Sequence, residues 1–209
     1  MNYLAHLYLA GDDDAEITGA LLGDFVKGPL EKIALPEDIV DGIQLHRAID
    51  SFTDTHPIVE RSKQRLASRG LVAGIIVDVV YDHYLVNHWE YFTHERFDAF
   101  THYRYERLLT HLDMFPAPMR KMVPLMCEHD WLGAYGHIEN VALALERIGK
   151  RLSRPGLLDN VKADLIQHYQ GLEEDFFDFF PAVIAQHARQ QRIDSAPHLP
   201  HSPIITSAR

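Results

Sequence analysis

An all-α fold, a single-domain bundle of seven or eight helices, is what this sequence predicts, and three observations carry that reading. Apolar residues recur at helical spacing along most of the chain, strand-like alternation is nearly absent, and prolines and glycines fall where helices begin and end. Pro36 with Glu37 and Asp38 opens the first clear helix. Its face of Ile39, Ile43 and Ile49 also carries His46 and Asp50, until His56-Pro57 stops it. A second helix runs from Pro57 through Leu66. Gly70 restarts the chain, and Ile75, Val79 and Val86 define a face on a helix ending near Trp89. Residues 94–113, 118–132, 137–153 and 157–192 continue the pattern, with Pro116 and Pro118 as breakers and Pro181 expected to kink the last helix. From Asp194 the composition turns to Ser, Pro and His, so the expected domain is residues 1–193 and the expected frayed tail is 194–209.

At 209 residues, with 46% hydrophobic and 24% charged, the chain has the profile of one folded domain. Twenty Lys+Arg against 30 Asp+Glu leave a charge of -10, which disfavours nucleic acid and anionic membrane as partners. Fourteen His beside a single thiol, Cys127, are material for a metal site with nitrogen and oxygen ligands; thiolate zinc knuckles and disulfide frameworks are excluded. The apolar run Asn2–Ala10 lacks a basic leader and carries His6, and the apolar stretch Gly70–Tyr81 falls short of the roughly 20 residues that span a bilayer. A cytoplasmic protein with a reduced, buried Cys127 is the expectation.

Three segments concentrate groups capable of chemistry. Asp24 lies between Leu22, Phe25 and Val26, where a carboxylate drawn towards a core needs a cation or several donors. It pairs with a neighbour such as Lys27, or it binds a metal. His46 and Asp50 stand four apart and share a helix face, with Asp54 one turn on. Such a pair shares an ion, or the carboxylate fixes the imidazole tautomer, or the two are a solvated pair beside Arg47. Asp78, Asp82, His83 and Asn87 interrupt the most apolar stretch of the chain, so a buried hydrogen-bond network or a metal must hold them there. No Gly-x-Ser-x-Gly or phosphate-cradling glycine loop is present. Arg104 with Arg107, and Arg147 with Arg151, form two basic clusters, which are solvated faces or receivers of an acidic partner.

Met1-Asn-Tyr-Leu-Ala-His-Leu, Leu22-Gly-Asp-Phe-Val-Lys-Gly28, His46-Arg-Ala-Ile-Asp50, Asp78-Val-Val-Tyr-Asp-His-Tyr84, His88-Trp89 and Asp164-Leu-Ile-Gln-His-Tyr169 together resemble the acyl carrier protein phosphodiesterase family over about residues 1–190. The resemblance implies an HD-domain-like helical fold and removal of 4'-phosphopantetheine from holo acyl carrier protein, an activity of fatty acid metabolism. It implies a divalent metal, Mn2+ first, with Mg2+ or Fe2+ as the other candidates. Asp24, His46, Asp82 and His83 would supply the two His and two Asp of an HD-type metal site. Asp50 and Asp78 are then candidates for general base or for ligand support, and His6 for ligand support or proton donation. Lys27 and Arg47 would clamp phosphate oxygens. Arg104, Arg107, Arg147 and Arg151 would dock the carrier. Ala20 departs from the family pattern, in which an Asn follows Gly19. The rival readings are an HD-like hydrolase of nucleotides or small phosphoesters, and a non-catalytic helical binding module with a structural polar core.

Overall fold

The computed structural model describes residues 1–194, and among them the chain forms eleven α-helices and no strand. In order these are α1 (Tyr3–Leu9), α2 (Asp14–Leu22), α3 (Glu37–Thr55), α4 (Pro57–Arg65), α5 (Ala73–Asn87), α6 (Trp89–Phe92), α7 (Phe97–Thr110), α8 (Ala117–Glu128), α9 (Trp131–Ala134), α10 (Ile138–Gly149) and α11 (Val161–Asp194). The seven helices signalled by sequence are α3, α4, α5, α7, α8, α10 and α11, and their caps follow the expected chemistry. Pro36 precedes the acidic first turn of α3, and His56 caps α4, its Nδ1 accepting from the Ile58 amide at 3.3 Å. The all-α class is as expected; the count of seven or eight is exceeded by α1, α2 and the single turns α6 and α9. Helix α2 is buried on nearly every side, Ala15 and Ile17 through Leu22, so it lacks the polar face that reveals a helix in sequence. Helix α11 continues through Pro181. The tail expected from 194 lies, apart from Asp194, outside the described residues.

Helix α5 is the centre of the bundle. Ala67–Asn87 reaches the length and apolarity of a membrane span, 21 residues at mean hydropathy 1.2, beyond what the sequence reading allowed; yet 61% of its apolar window is buried among the other helices. Around it α2 crosses α3 at backbone contact, because Gly19 and Gly42 meet there. A Cβ on Gly19 would lie 2.6 Å from the Gly42 Cα and carbonyl carbon. Gly19→Ala must push the two helices apart, and should cost about 2 kcal/mol or more in urea unfolding, whereas Gly74→Ala on α5, whose Cβ makes only an ordinary contact with Lys63 Cε, should cost nothing.

Helix α11 is locked to α4 by Asp175, whose side chain is fully buried. It accepts from Arg61 Nε at 2.6 Å, Ser62 Oγ at 2.7 Å and Arg65 Nε at 2.8 Å. Phe176, Phe179 and Phe180 on the same helix are fully buried against the core.

Candidate active site

Three chain segments bring their titratable groups to one place. His6 comes from α1, His46 and Asp50 from α3, and Asp24 from the turn that follows α2. The i, i+4 spacing on α3 lets His46 Nε2 meet Asp50 Oδ2 at 3.1 Å, and the same nitrogen lies 3.7 Å from Asp24 Oδ1. His6 Nε2 is 3.1 Å from Asp50 Oδ1, and its ring stacks on His46 with centroids 3.8 Å apart. Asp50 thus bridges both imidazoles. The Met1 ammonium continues the line, 3.3 Å from Asp50 Oδ1 and 3.2 Å from Asp78 Oδ1. Gly23 makes the packing possible, because any Cβ there would lie 2.2 Å from the His46 ring.

Charge and burial divide the roles. Burial disfavours a charged His46, but its bonds to Asp24 and Asp50 outweigh it and lift the imidazole to about 9. His46 Nδ1 donates to the Ala20 carbonyl at 2.8 Å, which fixes the ring and leaves Nε2 facing the carboxylates. The nitrogen held protonated by two anions is the one a cation would take in the proton's place. His6 is driven down to about 4, chiefly by burial. Asp50 and Asp24 are both held below the usual carboxylate range; burial opposes this, and the bond with His46 does most to overcome it. Asp78 moves the other way, raised by burial and by Asp50 in spite of the Met1 ammonium.

Among the described residues, His6, His46 and Asp50 form a group whose donor atoms all lie within 4.8 Å of one another. His6 Nδ1 is buried with no hydrogen-bond partner, so protein groups alone leave this cluster under-satisfied. Two imidazoles with two adjoining carboxylates are a donor set that suits manganese, iron or magnesium. The residues therefore fit a divalent ion.

The expected ligand set is divided by the structure. Asp24 and His46 belong to the cluster, but Asp82 and His83 point elsewhere. Asp82, fully buried, accepts from the Leu4 amide at 2.9 Å and the Ala5 amide at 3.1 Å, and so caps the first turn of α1. Burial pushes its carboxyl up to about 7 against the pull of those two amides. His83 bonds the Tyr135 carbonyl through Nδ1 at 2.6 Å and the Tyr169 hydroxyl through Nε2 at 2.9 Å, and burial lowers its pKa. Consecutive residues on a helix face about 100° apart, so Asp82 and His83 turn to different neighbours. Asp50 and His6, expected in support, occupy the middle.

The cations are redistributed too. Arg47 spends its guanidinium on the Val26 and Gly28 carbonyls, both at 2.9 Å, and pins the turn that carries Asp24; Lys27 stays exposed on that turn. Arg104, 4% exposed, cannot dock a carrier: it is buried against Phe100 and bonds the Leu7 carbonyl and Asp12. Arg107 lies beside Asp14 at 3.7 Å and Glu106 at 3.4 Å. Arg147 and Arg151 are exposed on and just after α10; the Tyr3 phenol is raised to about 12 by burial and by Asp24, against the opposing charge of Arg151. Gly23 and Tyr3 escaped the sequence reading. Asp24 beside an apolar run marked the segment, but nothing local shows what a side chain at 23 would strike. The Cys127 thiol is half-buried and raised to about 11 by burial, which leaves it a weak nucleophile.

Comparison with known proteins gives a consistent result. The family model described as acyl carrier protein phosphodiesterase matches residues 1–183. A Yersinia enterocolitica protein of that name is 35% identical over 188 residues, covering 89% of this chain and 97% of its own. A Salmonella agona protein of the same name is 35% identical over 193 residues, 91% of this chain and 99% of its own, and one from Yersinia pestis is 33% identical over 193 residues, 91% and 100%. No solved structure matches.

Proposed function

The chain belongs to the acyl carrier protein phosphodiesterase family, and from that premise we propose that it is a metal-dependent hydrolase that releases 4'-phosphopantetheine from holo acyl carrier protein. It is a phosphodiester hydrolase by family, and the observation that supports the metal-dependent reading is the convergence of His6, His46, Asp24 and Asp50 from three segments on one point. The likeness to HD-type phosphohydrolases is part of the proposal and rests on that His and Asp complement.

His46, Asp50 and His6 would hold the ion, with Asp24 as the fourth donor. A bound Mn2+, Mg2+ or Fe2+ would neutralise charge on the phosphodiester and make water more acidic. The protein's own part is orientation and proton management. The Ala20 carbonyl keeps His46 Nε2 turned to the cluster, and Arg47 holds the Asp24 turn in place. Asp78, whose carboxyl is raised by burial and by Asp50, would take or return a proton at its carboxylate oxygens. Lys27, exposed beside Asp24, is the cation for the phosphate oxygens.

Mass spectrometry of holo carrier incubated with the protein and Mn2+ tests the reading. Loss of the phosphopantetheine arm with Mn2+, and none with EDTA, is the expected result; an intact carrier beside hydrolysed free nucleotides would establish the small-phosphoester reading instead. Bound Mn2+ should also raise the melting temperature, by an amount that grows with its concentration. For the carrier, Arg147 and Arg151 are the remaining exposed cations of the two clusters. Reversing both to Glu should raise KM by about tenfold at low salt with kcat held. An unchanged KM would remove them from the docking surface.

A further inference from the structure

The cluster ends at Asp78, and on the far side of that residue the surface opens into a cavity of about 590 Å³. Its walls are the end of α3, α4, the 3-10 segment Ala67–Val72 and the first two turns of α5. We propose that this cavity seats the pantetheine part of the substrate, an inference that rests on the function proposed above.

Position is the first argument. Asp78 lines the cavity and also touches the Met1 ammonium, which touches Asp50, so the cavity begins where the cluster stops. The arm is bonded directly to the phosphate, and its seat must adjoin the groups that act on that phosphate. Size is the second: the volume falls within the roughly 300–1,000 Å³ of small-molecule sites.

The lining supplies the third. Asp54, Glu60 and Asp78 contribute carboxylates and Gln64 an amide, while Lys63 lies 3.7 Å from Asp54. A net negative wall repels phosphate and acidic protein surface but accepts the N–H and O–H groups of a neutral chain. Pantetheine is such a chain, with two amides, hydroxyls, a dimethyl carbon and a terminal thiol. Its methyl and methylene groups match Ala67, Ala73, Ile75 and Leu71. Leu71 is 94% exposed, and it stands next to Gly70, whose φ of +53° suits glycine. The acidic surface of the carrier belongs at the other end of the cluster, towards the exposed Lys27 on the Asp24 turn.

Gly74 allows a direct test. A Cβ there meets only Lys63 Cε, at 3.6 Å, so Gly74→Leu fills the cavity from α5 and improves helix propensity. Ala67→Leu fills it from the other wall, and melting curves show whether either variant is folded. Calorimetry with pantetheine, which carries no phosphate, should show binding to the wild type and about tenfold weaker binding to both variants, with KM for holo carrier raised by a similar factor. No pantetheine binding by the wild type, or equal binding by both folded variants, overturns the seat. If the wild type releases the arm from the carrier while the variants bind and turn over unchanged, the seat fails and the function stands. If the wild type binds pantetheine but leaves holo carrier intact, the function fails and the seat stands.

Discussion

His46→Ala should lower metal-dependent release of the arm by about 1,000-fold or more, while circular dichroism shows the helices intact. The imidazole touches the other three donors proposed for the ion, Asp24, Asp50 and the His6 ring, and is held by the Ala20 carbonyl. Its removal takes away a donor and leaves Asp24 and Asp50 facing a gap with no partner on that side. His83→Gln should cost less than about tenfold, because His83 is bonded to Tyr135 and Tyr169 rather than to the cluster. The pair of variants decides between the ligand set expected from sequence and the one assembled in space. Both kcat/KM and the affinity for Mn2+ should be measured. If His83→Gln loses as much of either as His46→Ala, the cluster is not the metal site.

Asp175→Ala should destabilise the fold by about 3 kcal/mol at pH 7, which for a domain of this size lowers Tm by roughly 6 to 12 °C. Its carboxylate accepts from Arg61, Ser62 and Arg65 at the interface of α4 with α11, and truncation takes this partner from all three at once, leaving Arg61 only Asp178 and Ser62 only the Tyr81 hydroxyl. The two arginines are partly exposed and can turn to water, which keeps the cost at the lower end of the range for buried pairs. The pH dependence has a definite sign. Burial opposes ionisation of Asp175, but the bonds from Arg65, Ser62 and Arg61 win and hold its carboxyl below the ordinary value. The stability it contributes is therefore complete above the unfolded pKa near 4, and it disappears as pH falls through the lower folded value. Wild type and Asp175→Ala should differ most at neutral pH and converge in acid. A constant difference from pH 7 to pH 2 would show that packing, not charge, accounts for the loss.

Helix boundaries were largely legible because they depend on neighbours in the chain. Pro36, the His56-Pro57 step, Pro116 and Pro118 act on backbone groups a few residues away, and the helices they bound lie close to where those signals place them. Helix α1 was not legible. The Leu4 and Ala5 amides of its first turn take their partner from Asp82, 78 and 77 positions along the chain. Helix α2 hid for the opposite reason, since burial on all sides erases periodicity.

The site divides along the same line. The pairing of His46 with Asp50 is a property of helix spacing and is readable from four letters of sequence, whereas Asp24, expected to be drawn towards the core, lies exposed on its turn and meets His46 from there. Which groups join them is decided by how α1, α3 and α5 pack. Asp82 and His83 are neighbours in sequence and belong to separate networks; His6 and Asp50 are 44 residues apart and share a hydrogen bond. Local chemistry states that buried charges need partners; only the packing of rigid helices determines which partner lies within 3 to 4 Å.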